Sequence, residues 1–125
     1  MKVFIAEESE KLRKRLIHMI NRLTGLPVFG EEGDAHKTIQ AIRQLKPDVV
    51  ILSMQLSNGT ALDVLKNIII GKEDPEVILL VDQVHTMEPT HYKKYGIKQI
   101  FNKALQLEEL VNALRKINDD HLENH

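Results

Sequence analysis

A chain of 125 residues suffices for one domain that buries roughly two-thirds of the surface its unfolded form exposes. Seventeen basic and eighteen acidic side chains leave a net charge of −1, so no overall field draws the domain to nucleic acid or an anionic membrane. The lack of cysteine excludes disulfides, thiolate metal ligation and thiol redox chemistry, and fits a cytoplasmic location.

Hydrophobic residues at 42% and charged residues at 28% are the balance of a soluble globular protein. The apolar runs stay far below the ~20 residues of a membrane-spanning helix. The opening run Met1–Ala6 stops at Glu7-Glu8, too short for the core of a signal peptide.

Short β-branched runs alternate with segments of helical period, the pattern of βαβ units around a parallel sheet. Val3–Ala6 is the first predicted strand. A helix follows, capped by Ser9, with Leu12, Leu16, Ile17, Ile20 and Leu23 on its apolar face. Lys11, Lys14, Arg15, His18 and Arg22 form a basic stripe opposite, read as a solvated surface.

Val28–Gly30 is the second predicted strand. Asp34 caps a second helix built on Ile39, Ile42 and Leu45, which Pro47 ends. The third strand is Val49–Leu52. Beyond Asn58-Gly59 a third helix buries Ala61, Leu62, Leu65, Ile68 and Ile69 and runs out at Gly71.

Val77–Val81 is the fourth strand, and a short helical segment spans about Glu88 to Tyr95, with Gly96 at its end. Ile97–Phe101 is the fifth strand. A last helix carries Leu107, Leu110, Val111, Leu114 and Ile117, leaving residues 119–125 as a polar tail behind a domain of residues 1–118. Strands one, three and four are nearly unbroken apolar runs, expected at the centre of a sheet covered on both faces.

Ligands of an open parallel sheet bind beyond the carboxyl ends of its strands. Those ends carry Glu7 and Glu8, Ser53, Val81 with Asp82, and Asn102 with Lys103. The six histidines lack metal-site spacing, and the chain has no Gly-rich phosphate loop or nucleophile elbow.

The segment Lys46-Pro47-Asp48-Val49-Val50-Ile51-Leu52-Ser53, continued by Gln55-Leu56, Asn58-Gly59 and Leu62-Asp63-Val64-Leu65, resembles the third strand, loop and third helix of the receiver domains of two-component response regulators, the CheY-like family. Phe4-Ile5-Ala6-Glu7-Glu8-Ser9 is similar to the family's acidic-pair strand, and Ile100-Phe101-Asn102-Lys103 to its lysine strand. The resemblance runs from Lys2 to about Ile117. It implies a flavodoxin-like (βα)5 three-layer sandwich with a parallel sheet of order 2-1-3-4-5.

The resemblance implies five site positions: two acids, usually aspartates, that hold Mg²⁺, a phosphorylated aspartate, a Ser or Thr that bonds the phosphoryl group, and a lysine. This chain supplies Glu7 and Glu8, Ser53 at the acceptor, Val81 at the hydroxyl position and Lys103 at the lysine. Ile100 stands where relatives often carry a switching aromatic residue, with Phe101 one step later on the other side of the strand. Ala104 replaces a common proline.

A serine alcohol needs a base that a carboxylate does not. Losing the carboxylate also removes a hard ligand from Mg²⁺, so cofactor-free operation, with at most weak Mg²⁺ at Glu7 and Glu8, is expected. Glu7 and Glu8 could equally be strand-end acids favouring the positive end of the first helix. In the receiver fold Lys103 is expected to neutralise one glutamate and donate to Ser53, forming a structural polar network. Asp82 is expected to point away.

The expected function is therefore a non-enzymatic, phosphorylation-independent signalling module that binds protein partners, a signalling protein or a second copy of itself, and neither nucleic acid nor membrane. Relatives commonly dock through their fourth helix, fifth strand and fifth helix, which points to Tyr92, Lys93, Lys94, Tyr95, Lys98 and Gln99. The alternatives are the regulatory segment of a larger DNA-binding response regulator and an unorthodox receiver that still binds Mg²⁺ or is phosphorylated.

Overall fold

The computed structural model describes residues 1–82, 92–97 and 99–123. The strands among these residues are β1 (Val3–Ala6), β2 (Val28–Glu32), β3 (Val49–Ser53), β4 (Gln55–Leu56), β5 (Gly59–Thr60), β6 (Glu76–Val81) and β7 (Gln99–Asn102). The helices among the described residues are α1 (Glu10–Thr24), α2 (Ala35–Leu45), α3 (Ala61–Ile70) and α4 (Leu107–Glu123). Five strands form one parallel sheet of order β2-β1-β3-β6-β7, and β4 and β5 make a small antiparallel pair in the turn before α3. This is the flavodoxin-like sheet that the resemblance implied, with the three apolar strands at its centre.

The pleat divides the strand residues between two cores. Phe4, Val50, Leu52, Leu79 and Val81 face one layer with Ile42 of α2 and Val64 and Leu65 of α3. Val3, Ile5, Ile51, Ile78 and Leu80 face the other, with Leu16 and Ile20 of α1 and Leu110 and Leu114 of α4. Burying each such side chain contributes about 1.5–3 kcal/mol. Gly30 is required by packing: a Cβ there would lie 2.8 Å from the Phe4 ring and 3.0 Å from Leu45.

Several boundaries differ from expectation for local reasons. Strand β2 continues to Glu32 because an edge strand tolerates charge. Glu31 receives Arg13 Nε at 2.9 Å and Lys14 Nζ at 3.0 Å. Burial works against its ionised form, but these hydrogen bonds prevail and hold its carboxyl below the ordinary range. Ile69 is half exposed, and Val64 takes the buried position instead. Residues 119–123, expected as a polar tail, are helical and extend α4 to Glu123. The expected helix at 88–95 lies outside the described residues except for Tyr92–Tyr95, of which Tyr92 and Lys93 are helical while Lys94 and Tyr95 already belong to the turn that ends at Gly96.

The loops above the sheet are tied together by side-chain caps. Ser9 accepts from Leu12 N at the start of α1, and Asp34 accepts from Lys37 N at the start of α2. Asn58 also donates to Asp34, joining the loops after β2 and β3. The Lys37 amide, then Asn58, hold the Asp34 carboxyl below its ordinary range. A depressed folded-state pKa gives stability that is present above the unfolded value and lost as pH falls through the folded one. Urea midpoints of Asp34→Ala and wild type should therefore differ most near about pH 6 and converge towards about pH 3. A gap independent of pH would remove the charge from this explanation.

A candidate functional site at the carboxyl edge of the sheet

Register brings the candidate residues together. Ala6 lies opposite Leu52 in the β1–β3 ladder, and Val81 opposite Asn102 in the β6–β7 ladder. One step beyond these pairs stand Glu7 beside Ser53, and Asp82 near Lys103. By strand alternation Glu7, Ser53, Asp82 and Lys103 share the face of Ile5, Ile51, Leu80 and Phe101. Val81 belongs to the opposite face with Ile100.

Glu7 is the hub. Its side chain is 0% exposed, and both carboxylate oxygens are engaged. Ser53 Oγ donates to Oε1 at 2.6 Å, Lys103 Nζ donates to the same oxygen at 3.3 Å, and Ser9 N donates to Oε2 at 2.7 Å. Ser53 is itself fully buried. The expected link from Lys103 to Ser53 is thus replaced by convergence of both on one oxygen. A carboxylate carries more acceptor capacity and the full negative charge, so the ammonium seeks it rather than a neutral hydroxyl.

Asp82 does not point away. Its Oδ1 lies 3.6 Å from Lys103 Nζ, although the side chain is 72% exposed, so this second contact is weak beside the buried one. Glu8, the other member of the acidic pair, is exposed.

Two supports were not foreseen. Arg13 Nη1 donates to the Glu7 carbonyl at 2.6 Å while its Nε holds Glu31, fixing the backbone from which Glu7 projects. Asn102 Nδ2 donates to the Asp82 carbonyl at 2.6 Å, and its Oδ1 accepts from Ala104 N and Leu105 N. Asparagine at the end of a strand is a turn-forming residue, and this signal was readable at Asn102. Nothing in the helical spacing of Arg13 announced its role.

The family's Mg²⁺ can be weighed against this donor set. Magnesium requires near-octahedral oxygen ligands. The one buried carboxylate here already accepts from an ammonium, a hydroxyl and an amide. Among the described residues no three of His, Asp or Glu are grouped to hold a metal. As the side chains stand, neither oxygen of that carboxylate is free of a donor.

Val81, Tyr92 and Ile97 are buried in the α2–α3 layer, with Ile100 and Tyr95 packed against them. Tyr92 is 7% exposed, its hydroxyl donates towards Met54 Sδ at 3.9 Å, and burial pushes its phenol pKa up. Its ring therefore fills the core instead of presenting a docking surface. Of the remaining candidate face, Lys93 and Lys94 are exposed, Tyr95 lies under Lys94 Nζ at 5.2 Å and Gln99 is half buried; Lys98 lies outside the described residues.

A five-stranded parallel α/β sandwich with an acid, a hydroxyl and a lysine meeting at the carboxyl edge of its central strands defines a flavodoxin-like domain with a polar site at the topological switch. The response regulator receiver domain model matches residues 3–115; the chain belongs to that family. It is 24% identical over 117 residues to the response regulator GacA of Pseudomonas aeruginosa, covering 94% of this chain and 55% of that protein. It is 27% identical over 119 residues to the transcriptional regulatory protein YxjL of Bacillus subtilis, covering 92% and 53%. The chain thus spans about half the length of these curated relatives. The N-terminal domain of a Wolinella succinogenes protein superposes with a TM-score of 0.86 at 20% identity, over 100% of this chain and 98% of that one. Among the described residues no helix is long and apolar enough to cross a membrane.

Proposed function

We propose that this receiver domain works without phosphorylation, as a non-enzymatic module that signals by binding protein partners. The observation that carries this reading is the closed contact of Ser53 and Lys103 on Glu7 Oε1. Where the resemblance places an acceptor aspartate there is a buried hydroxyl whose proton points at a carboxylate. A carboxylate is a weak base towards an alcohol, and this one has its charge balanced by an ammonium. Ser53 is also inaccessible to a phosphoryl donor. At Val81, the hydroxyl position, an apolar side chain packs in the core and has no donor to offer a phosphoryl oxygen.

Wild-type protein incubated with acetyl phosphate and Mg²⁺ should show no gain of one phosphoryl mass. A gain abolished by chelation would sink the proposal. The exposed Lys93 and Lys94 beside Tyr95 and Gln99 are the remaining part of the family's usual docking face.

A second reading, the regulatory segment of a larger DNA-binding response regulator, is favoured by length, since the matched relatives are about twice as long. A coding sequence for a DNA-binding domain in frame after residue 125 would support it. The two readings are compatible, since a receiver that dispenses with phosphate can still govern an attached domain.

A further inference from the structure

The layer formed by α2 and α3 carries a basic surface apart from the Glu7 site. From Ala35 to Lys46 the chain holds His36, Lys37, Arg43 and Lys46 and no acid. Lys37 stands in the first turn of α2, where the positive end of the helix dipole opposes a cation by about 0.3–1 kcal/mol. Lys66 of α3 adds a further exposed cation. The two acids at this end of the helices are already committed. Asp34 caps α2, and Asp63 Oδ2 accepts from Thr60 N at 2.9 Å in the capping box of α3. Lys37, Arg43, Lys46 and Lys66 make no ion pair among the described residues.

Between the two helices runs a groove of about 570 Å³, within the size range of ligand sites. Ala35, Ile39, Gln40 and Arg43 of α2 line it against Asp63 and Asn67 of α3. Arg43 Nη2 donates to Asn67 Oδ1 at 3.4 Å, a long contact that a carboxylate would replace with a shorter, charge-assisted pair. The exposed amide of Gln40 offers both a donor and an acceptor to a peptide group. On the α3 rim, one turn beyond Asn67, Ile70 is 75% exposed, and Lys66 is its neighbour four residues back on the helix surface.

We propose that the α2–α3 groove binds an acidic peptide segment of a partner protein. Carboxylates of that segment pair with Arg43 and Lys66, its backbone meets the Gln40 amide, and an apolar side chain covers Ile70. Complementary charge of this kind selects the partner more than it tightens the complex. The groove lining has no tyrosine, phenylalanine or tryptophan on which a base could stack, which favours a peptide over a single-stranded nucleic acid. The basic stripe of α1 carries more charge, but it lies on the outward, convex side of a single helix, which attracts acidic groups without fixing a peptide's orientation. The α2–α3 layer covers the opposite face of the sheet from Glu7 and Ser53, so the proposal stands whether or not Ser53 takes a phosphoryl group.

Nuclear magnetic resonance titration of the isotope-labelled chain with a short peptide of glutamate and leucine tests this. Signals of Gln40, Arg43, Asn67 and Ile70 should move, with a dissociation constant below about 1 mM at low salt. That constant should rise at least about tenfold at about 0.5 M salt, because exposed charge pairs are screened. Arg43→Glu with Lys66→Glu should weaken binding at least about tenfold while keeping a native spectrum, since two attractive contacts become repulsive. Ile70→Ser, which leaves every charge in place, should weaken it about threefold through lost apolar contact. Lys11→Glu with Arg15→Glu on α1 should bind as wild type does. Each of the following overturns the proposal: no shift at about 5 mM peptide, shifts centred on α1, binding that survives Arg43→Glu with Lys66→Glu, an equal response to a peptide with lysine in place of glutamate, or tighter binding of a short single strand of DNA.

Discussion

Lys103→Met is expected to lower the stability of the domain by about 3 kcal/mol, near the bottom of the range for removing one partner of a buried ion pair. The lower end applies because Lys103 keeps 19% of its side chain exposed while Glu7 is fully buried. What remains after the change is a carboxylate with hydrogen bonds from Ser53 and Ser9 but no countercharge inside the fold. The cost should be recovered in part by adding Glu7→Gln. In the double variant the amide oxygen can accept from Ser9 N, the amide nitrogen can donate to a rotated Ser53 hydroxyl, and no buried charge is left. Glu7→Gln alone fares worse, since its NH₂ then faces the Lys103 ammonium. Urea denaturation of the four proteins should give a coupling energy of about 1–3 kcal/mol. Additive losses would mean that the 3.3 Å contact contributes nothing to stability.

The parts of this site that were legible in the sequence are those set by strand periodicity. The runs Val3–Ala6, Val49–Leu52 and Val77–Val81 are apolar on both faces, and that alone places them centrally in a parallel sheet. Alternation likewise separates Ile100 from Phe101, and the two residues pack in opposite layers. The same parity puts Asp82 on the face of Glu7 and Ser53, and applying it to that residue would have predicted the contact with Lys103.

What could not be read was the choice of hub. Glu7 and Glu8 are adjacent acids of equal chemistry, and only the register of β1 against β3 decides which is buried beside Ser53. Arg13 was hidden for a related reason. On a helical wheel it falls between the apolar and basic stripes, and its importance depends on the bend of the chain at Gly33, where a Cβ would lie 2.8 Å from the guanidinium. The fate of Tyr92 turned on tertiary packing as well: an aromatic residue among lysines reads as surface until Val81 and Ile97 are seen around it. The extension of α4 through Asn118–Glu123 follows from helix continuation beyond the apolar pattern, which marks the buried stretch of a helix and not its end.

Ser53→Asp should convert the site from one closed by its own lysine into one that responds to a divalent cation. The introduced carboxylate would stand where Ser53 Oγ now lies, 2.6 Å from Glu7 Oε1, replacing a hydrogen-bond donor by a like charge. Lys103 can balance only one of the two. Without metal the variant should therefore be less stable than wild type by about 3 kcal/mol, the cost of a poorly compensated buried charge. Magnesium changes the balance, because two facing carboxylates offer the hard oxygen ligands that one saturated carboxylate cannot. A cation that binds only the folded form stabilises by about 1.4 kcal/mol at tenfold excess over its dissociation constant, which for a domain of this size moves Tm by a few degrees. Thermal scans with and without about 10 mM Mg²⁺ should show that rise in Ser53→Asp and none in wild type, with calcium weaker if the site is small and rigid. An equal rise in both proteins would show that Glu7 and Glu8 already hold the ion, and the reading of Lys103 as the resident cation would fail. A variant that is destabilised yet indifferent to Mg²⁺ would place the obstacle elsewhere in the site, in the longer glutamate side chain or in the ammonium that still occupies its oxygen.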